Sequence, residues 1–238
     1  MPRLSLGLGV QTIRKVGGGA VPFSPADISG LSLWLKGDAG ITLSGSDVTV
    51  WADQSGNGKN ATTLNASPTT TTIGSKTFVR FNGEDQALSG PNVISALPCT
   101  IISVIRWRSF KGIDTWFIQN DGADNLALYA STSIGWRVFN GVDLDSTDST
   151  WSFDVTQLAT TIADGENSAH FHNGTAAGTG DSGDITPAGD YYLSYWAGGG
   201  EDKYRHFDIA EIIIYNRVIT TPERQQVETY LNTKYAIY

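Results

Sequence analysis

The chain has 238 residues, with 16 lysine and arginine side chains against 24 carboxylates, a formal charge of −8. That balance argues against a general nucleic-acid binder, whose affinity rests on neutralised phosphates. A single cysteine, Cys99, excludes a disulfide framework and a multi-cysteine metal centre, and no apolar run reaches the length at which a helix crosses a bilayer.

Residues 1–22, MPRLSLGLGVQTIRKVGGGAVP, read as an extended arm, and residues 23–238 as one domain. The arm holds Arg3, Arg14 and Lys15, and all 24 carboxylates come after it. Gly17, Gly18 and Gly19 form its joint, because glycine leaves the backbone free to turn. Fully extended, the arm reaches roughly 70 Å. Its apolar run Leu4–Val10 is broken by glycine and lacks a small-residue cleavage site behind it, so the expectation is synthesis in a cytoplasm without export. The arm is expected to bind a neighbouring chain through Arg3, Leu4, Leu6, Leu8, Val10, Arg14 and Lys15, making the protein a homo-oligomer or part of a larger assembly.

Ser24 and Pro25 open a single helical turn, SPADIS, as N-cap and first position. Strands then recur at sandwich-like spacing over 31–36, 47–52, 60–64, 77–82, 86–89, 100–108, 114–119, 125–130, 134–139, 155–163, 167–172, 190–196 and 206–215. NASPTTTTIGSK, residues 65–76, is low in complexity and reads as an exposed loop. Asn173-Gly174 is the strongest hairpin signal, since both residues tolerate positive φ. After the apolar strand Phe207–Tyr215 the period changes from 2 to 3.6, with Val227, Tyr230, Leu231 and Tyr235 on one helical stripe. Thr220 and Glu223 can form a capping box, with Pro222 in the first turn.

PADISGLSLWLKGDAGI, VTVWADQSGNGKNAT, TFVRFNGEDQAL, HFHNGT and AEIIIYNRVITTPERQQVETYLNTKY, in that order, resemble the laminin-G-like, concanavalin-A-like jelly-roll superfamily over residues 24–238. The resemblance implies an all-β fold, two antiparallel sheets in a jelly-roll sandwich with one short C-terminal α-helix packed at an edge. Its most specific part is Trp51, Asp53, Ser55, Gly56, Asn57, Gly58, Asn60 and Ala61. There Trp51 suits a core anchor, Asp53 and Asn57 suit Asx turns, and the glycines supply positive φ. The start MPRLSLGLGV ahead of such a domain also resembles small virion proteins of tailed bacteriophages. That implies a virion location, other capsid or tail proteins as partners, and a role as capsid decoration or as a head or tail fibre component.

Catalytic patterns are sparse. Sandwich glycoside hydrolases place carboxylates alternately on one strand so that acid and nucleophile share a cleft, whereas Glu84-Asp85 and Glu201-Asp202 are adjacent and Glu211 stands alone. No G-x-S-x-G elbow occurs. A non-enzymatic protein without a required cofactor is expected. His170 and His172 share one strand face, read as solvated beside the hairpin turn. The acidic loops 122–125 and 143–148 offer oxygen ligands, so Asp143, Asp145 and Asp148 are the candidate calcium set, without an EF-hand pattern. Glycan binding, the family's commonest use, would rest on ring stacking, and the candidates are Trp116, Trp136, Tyr192 and Trp196. On strand 190–196, Tyr192 and Trp196 share one face while Tyr191, Leu193 and Tyr195 share the other. The three function classes are therefore a virion structural protein, a glycan-binding adhesin for a host surface, and, third, a glycoside hydrolase.

Overall fold

A computed structural model of the chain describes residues 22–109, 114–120, 126–131, 135–147, 152–196 and 204–238. In chain order the first strands are β1 (Leu31–Lys36), β2 (Ile41–Ser44), β3 (Asp47–Trp51), β4 (Ala61–Thr63), β5 (Thr69–Ile73) and β6 (Lys76–Asn82). The middle of the chain gives β7 (Leu88–Gly90), β8 (Cys99–Trp107), β9 (Asp114–Asn120), β10 (Leu126–Ser131), β11 (Gly135–Phe139) and β12 (Asp143–Asp145). It closes with β13 (Gln157–Ala163), β14 (Ser168–His172), β15 (Thr175–Gly180), β16 (Asp190–Leu193), β17 (His206–Tyr215) and the helix α1 (Thr221–Tyr235).

Antiparallel pairing arranges these strands as a sandwich of two sheets. The back sheet runs from β17 through β8, β13 and β14 to β15. On the other flank of β17, β1 and β6 pair with different stretches of it, and β5 lies outside β6. The front sheet runs β2, β3, β4, β7, β16, β9, β10, β11, β12. One pair, Asp47 with Thr69, ties β3 to β5 and joins the two sheets along that edge.

Alternation sends one set of side chains between the sheets. Leu33, Leu35, Phe81, Ile105, Ile212 and Ile214 from the back meet Trp51, Leu88, Phe117, Leu128, Val138 and Leu193 from the front. The other set on β8 and β17 is also apolar, and α1 explains why. Val227 and Leu231 of the helix pack with Trp34, Ile102, Val104, Ile213 and Tyr215 on the outer face of the back sheet. The helix therefore covers the middle of a sheet face and does not sit at an edge, which corrects the expected placement. Strands buried on both faces read as continuous apolar runs, which is how FDIAEIIIY reads.

The capping box forms as expected: Glu223 N–H donates to Thr220 Oγ1 at 3.4 Å, and Thr220 N–H to Glu223 Oε2 at 2.7 Å. The Asn173-Gly174 turn closes the β14–β15 hairpin with φ of 49° and 78°. Residues 65–76 are not all loop. β5 uses four threonines there, and β-branched side chains fit a pleated surface even in a low-complexity run. β2, β12 and β15 are short or lack apolar alternation, so their residues do not predict them as strands.

The loop after β3 behaves largely as its residues suggest. The Asp53 carboxylate accepts from the backbone N–H groups of Trp34, Ser55 and Lys59 at 3.0, 2.8 and 3.1 Å. Asn57 reaches across instead, its amide donating to the carbonyls of Leu31 and Ser32. Gly56 and Gly58 take φ of 89° and 71°, values in the left-handed region that glycine adopts without steric cost. Trp51 is fully buried and donates through Nε1 to the Lys36 carbonyl at 2.8 Å. The loop is thus a fastener for β1.

Candidate functional site

The outward side of β16 carries the most chemically suggestive surface among the described residues. Tyr191 and Leu193 point into the core, so Tyr192 points out. It stands in register with Ser89 of β7, which pairs in turn with Thr62 of β4. The strand ends at Leu193, and Ser194 takes φ of 66°. That left-handed residue breaks the alternation and brings Tyr195 to the side of Tyr192, with ring centroids 5.8 Å apart. Tyr195 bridges Tyr204 through the backbone, and their rings lie 5.6 Å apart. Asn65 Nδ2 donates to the Tyr204 hydroxyl at 3.0 Å and to the Asp85 carbonyl at 3.1 Å.

Three half-buried tyrosines thus form a ladder with an amide at one end, and Trp196 follows, also half-buried. Ser194 is fixed at the turn by exchanging two hydrogen bonds of 3.0 Å with Arg205. Partial burial raises the Tyr192 phenol pKa, and the neighbouring Asp190 and Tyr195 push it the same way, so its hydroxyl stays protonated. A ladder of phenol rings with one amide can stack on a sugar face and hydrogen-bond its hydroxyls.

The sequence candidates divide. Tyr192 and Trp196 belong to this surface. Trp116 and Trp136 do not: they are 0 % and 2 % exposed and pack on each other inside the sandwich, centroids 5.5 Å apart. A register shift between β9 and β10 lets Trp116 and Phe117 both turn inward, a bulge effect invisible in the sequence. The expectation for those two tryptophans is corrected. Tyr195 and Tyr204 were missed, Tyr195 because strict alternation places it with Tyr191. The spacing Tyr192-x-x-Tyr195 is the signal that could have found it, if the strand were known to stop at Leu193.

Asp143 and Asp145 lie on β12, not in an open loop, and both bond the guanidinium of Arg137, at 2.8 Å for Asp143. A cation already occupies that pair. Asp148 and all seven arm residues, Arg3, Leu4, Leu6, Leu8, Val10, Arg14 and Lys15, lie outside the described residues. Among the described residues no group of three metal-ligating side chains converges, and no helix is long and apolar enough to cross a membrane.

His170 and His172 face inward and are 1 % and 6 % exposed, correcting the solvated reading. Trp136 Nε1 donates to Thr161 Oγ1 at 2.9 Å, Thr161 Oγ1 lies 3.2 Å from His170 Nδ1, and His170 Nε2 lies 3.2 Å from the Leu144 carbonyl. One neutral tautomer satisfies the chain: Nε2–H donates to the carbonyl and Nδ1 accepts from the threonine. The network crosses from back sheet to front sheet. Other buried carboxylates are engaged by cations, Asp208 by Arg80 at 2.7 Å and Glu228 by Arg224 at 2.7 Å.

No family model matches the chain, and no curated protein matches it in sequence. Solved structures do match in fold. A sialidase from Trypanosoma rangeli in complex with sialic acid superposes with a TM-score of 0.63 at 17 % identity, over 87 % of this chain and 34 % of the sialidase. The chain therefore spans about a third of the sialidase's length. Domain 4 of a GH43 extracellular arabinanase from Geobacillus stearothermophilus, in complex with arabinotriose, gives 0.62 at 13 % identity, over 83 % of this chain and 97 % of that domain. The receptor binding domain of botulinum neurotoxin type G gives 0.60 at 15 %, over 85 % of this chain and 52 % of that one. Identities this low establish the two-sheet sandwich and nothing finer.

Proposed function

We propose that the domain is a non-enzymatic carbohydrate-binding module that recognises a glycan through Tyr192, Tyr195 and Tyr204. The observation that carries this reading is the break at Ser194, which places Tyr195 beside Tyr192 on the outside of the sandwich. Fold neighbours lend support, since one is recorded with arabinotriose bound and another is a receptor binding domain. Replacing Tyr195 with alanine should lower affinity for any glycan the protein captures by about tenfold, the loss of one stacking contact. The melting temperature should stay close to that of the wild type, because the ring is half outside the core. A titration showing equal affinities for the two proteins would contradict the assignment.

A second reading adds where the module is held: as a decoration or fibre protein on a tailed-bacteriophage virion, anchored by residues 1–22 and made in the host cytoplasm. The observation favouring it is where the start of the described domain and the tyrosine ladder sit on the sandwich. The chain enters the described domain at Pro22, where Phe23 packs against Tyr230 of α1 on the back of the sandwich. The tyrosine ladder begins on the front sheet, on the opposite side. An anchor at the back would leave the ladder facing away from the particle. Deleting residues 1–20 should leave a folded domain that still binds glycan but no longer joins particles. Full incorporation of the truncated protein into purified particles would remove this second reading and leave the first intact.

A further inference from the structure

Past the cover of α1, the outer face of the back sheet turns from apolar to basic. Phe78, Val104 and Ala210 pack with the helix. Two residues along each strand from them stand Arg80 of β6, Arg106 of β8 and Asp208 of β17. Register sets these in one row, with Arg80 and Arg106 on either side of Asp208. Arg108 follows β8, its N–H donating to the His206 carbonyl at 3.1 Å, and His206 Nδ1 lies 3.1 Å from the Ser109 hydroxyl.

The acceptors are too few for these cations. Arg80 takes both oxygens of the buried Asp208, Nε donating to Oδ1 at 2.7 Å and Nη2 to Oδ2 at 2.9 Å. Arg106 and Arg108 approach that carboxylate only to 3.8 and 3.6 Å, beyond hydrogen-bond length. What they share instead is one oxygen of an exposed side chain, Asp154 Oδ1, 3.0 Å from Arg106 Nη2 and 3.2 Å from Arg108 Nε. Both Nε–H groups are shielded from solvent and neither makes a hydrogen bond; the Arg108 contact with Asp154 is an ion pair without hydrogen-bond direction. Such donors are rare in folded proteins and are completed by an ion or ordered water.

The charges point the same way. Three guanidinium groups against two carboxylates leave one positive charge, on a chain of charge −8. Burial first and Arg108 second hold the His206 imidazole below the ordinary histidine pKa, so near pH 7 it adds none. The Asp154 backbone is pinned, its N–H donating to the Trp107 carbonyl at 2.8 Å with φ of 60°, while its side chain is exposed and free to swing outward. With that carboxylate displaced, the group carries two positive charges, the complement of one dianion. A tetrahedral oxyanion then offers several oxygens to two guanidinium forks, where Asp154 offers one.

We propose that Arg106 and Arg108 form a binding site for a sulfate or phosphate group, with Asp154 as a built-in competitor. The site lies on the back sheet and does not depend on the tyrosine ladder.

Sodium sulfate titrated into the full-length protein, at ionic strength held constant with sodium chloride, tests this by nuclear magnetic resonance. Expected are saturable shifts of the Arg106 and Arg108 Nε–H signals and of the His206 ring. Asp154→Asn should tighten sulfate binding about fivefold, the equivalent of one exposed ion pair. Asparagine accepts a left-handed backbone, so the variant should melt with the wild type. A gain of this kind is not what removing a purely structural ion pair produces. Arg108→Gln should weaken binding by at least about fivefold. Glucose 6-sulfate, titrated in the same way, separates the two sources of the anion: tighter binding than inorganic sulfate assigns the group to a sugar, and equal binding assigns it to the free ion. Shifts that grow linearly with sulfate in the wild type would mean an adventitious ion only and overturn the proposal. Unchanged or weaker binding by folded Asp154→Asn would overturn it too, as would full affinity in Arg108→Gln.

Discussion

Glu211→Ala is expected to lower the stability of the domain by about 4 kcal/mol, the cost of breaking a buried charge network, or roughly 10 °C in melting temperature for a chain of this size. Glu211 is fully buried between the back sheet and α1. Its Oε1 accepts from Trp34 Nε1 at 2.6 Å and from the Tyr230 hydroxyl at 3.1 Å. Its Oε2 accepts from Lys234 Nζ at 2.7 Å and from the Tyr235 hydroxyl at 2.8 Å. Four donors from one helix and one strand converge on one carboxylate. Without it, two phenols and an indole lose their acceptor and the Lys234 ammonium keeps only the half-exposed Asp38, at 2.9 Å. Both phenols are already held far above their ordinary pKa, by burial first and by the Glu211 charge second, so they cannot ionise to relieve the loss. Glu211→Gln retains an acceptor and should cost about half as much. Chemical unfolding of the three proteins measures this. A loss below about 1 kcal/mol for the alanine variant would mean that α1 is held by packing alone.

Stability should also fall as pH drops from about 6.5 toward 4, through His170. Burial is the main cause of its low pKa, about 4, with the Leu144 carbonyl and Asp145 pulling weakly the other way. The unfolded chain takes up this proton near 6.5 and the folded chain near 4, so the unfolded state binds more protons throughout that window. The contribution of neutral His170 is complete above pH 6.5 and is lost as pH falls toward the folded value, to a total of about 3 kcal/mol. Protonation also forces Nδ1 to donate toward Thr161, whose hydroxyl hydrogen then has no acceptor in the network. Other groups titrate in the same range, so the comparison is with His170→Gln, which keeps a donor for the Leu144 carbonyl. The wild type should lead at pH 7.5, and the gap should narrow or vanish by pH 4.5. A gap independent of pH would show that His170 does not titrate on unfolding.

Much of the sandwich is legible in the residues. The capped final helix, the Asn173-Gly174 hairpin and the β1, β8 and β17 strands follow from local chemistry, because periodicity and turn residues act over a few positions. What sequence did not show are events that break periodicity. In β17 a bulge between Ile209 and Glu211 puts Ala210 and Glu211 on the same side, so the carboxylate meets the helix instead of the core. Nothing in FDIAEIIIY marks that break. Ser194 does the same for Tyr195, and the β9 register shift does the same for Trp116. Each decides whether a side chain belongs to the core or to a surface, so the candidate site was half legible: Tyr192 and Trp196 were found, while Tyr195, Tyr204 and Asn65 were not. The acidic stretch DLDSTD misled in another way. Its first three residues pair with β11, which brings Arg137 to both carboxylates through a contact set by the sheet.

The most direct test of the glycan reading is a nuclear magnetic resonance titration of the full 25.5 kDa chain with a glycan selected from an array. Binding at the ladder would shift the signals of Tyr192, Tyr195, Tyr204 and Asn65 together, saturably, and leave those of Trp116 and Trp136 nearly still. Shifts centred elsewhere on the sandwich, or no glycan retained from a broad array, would contradict it.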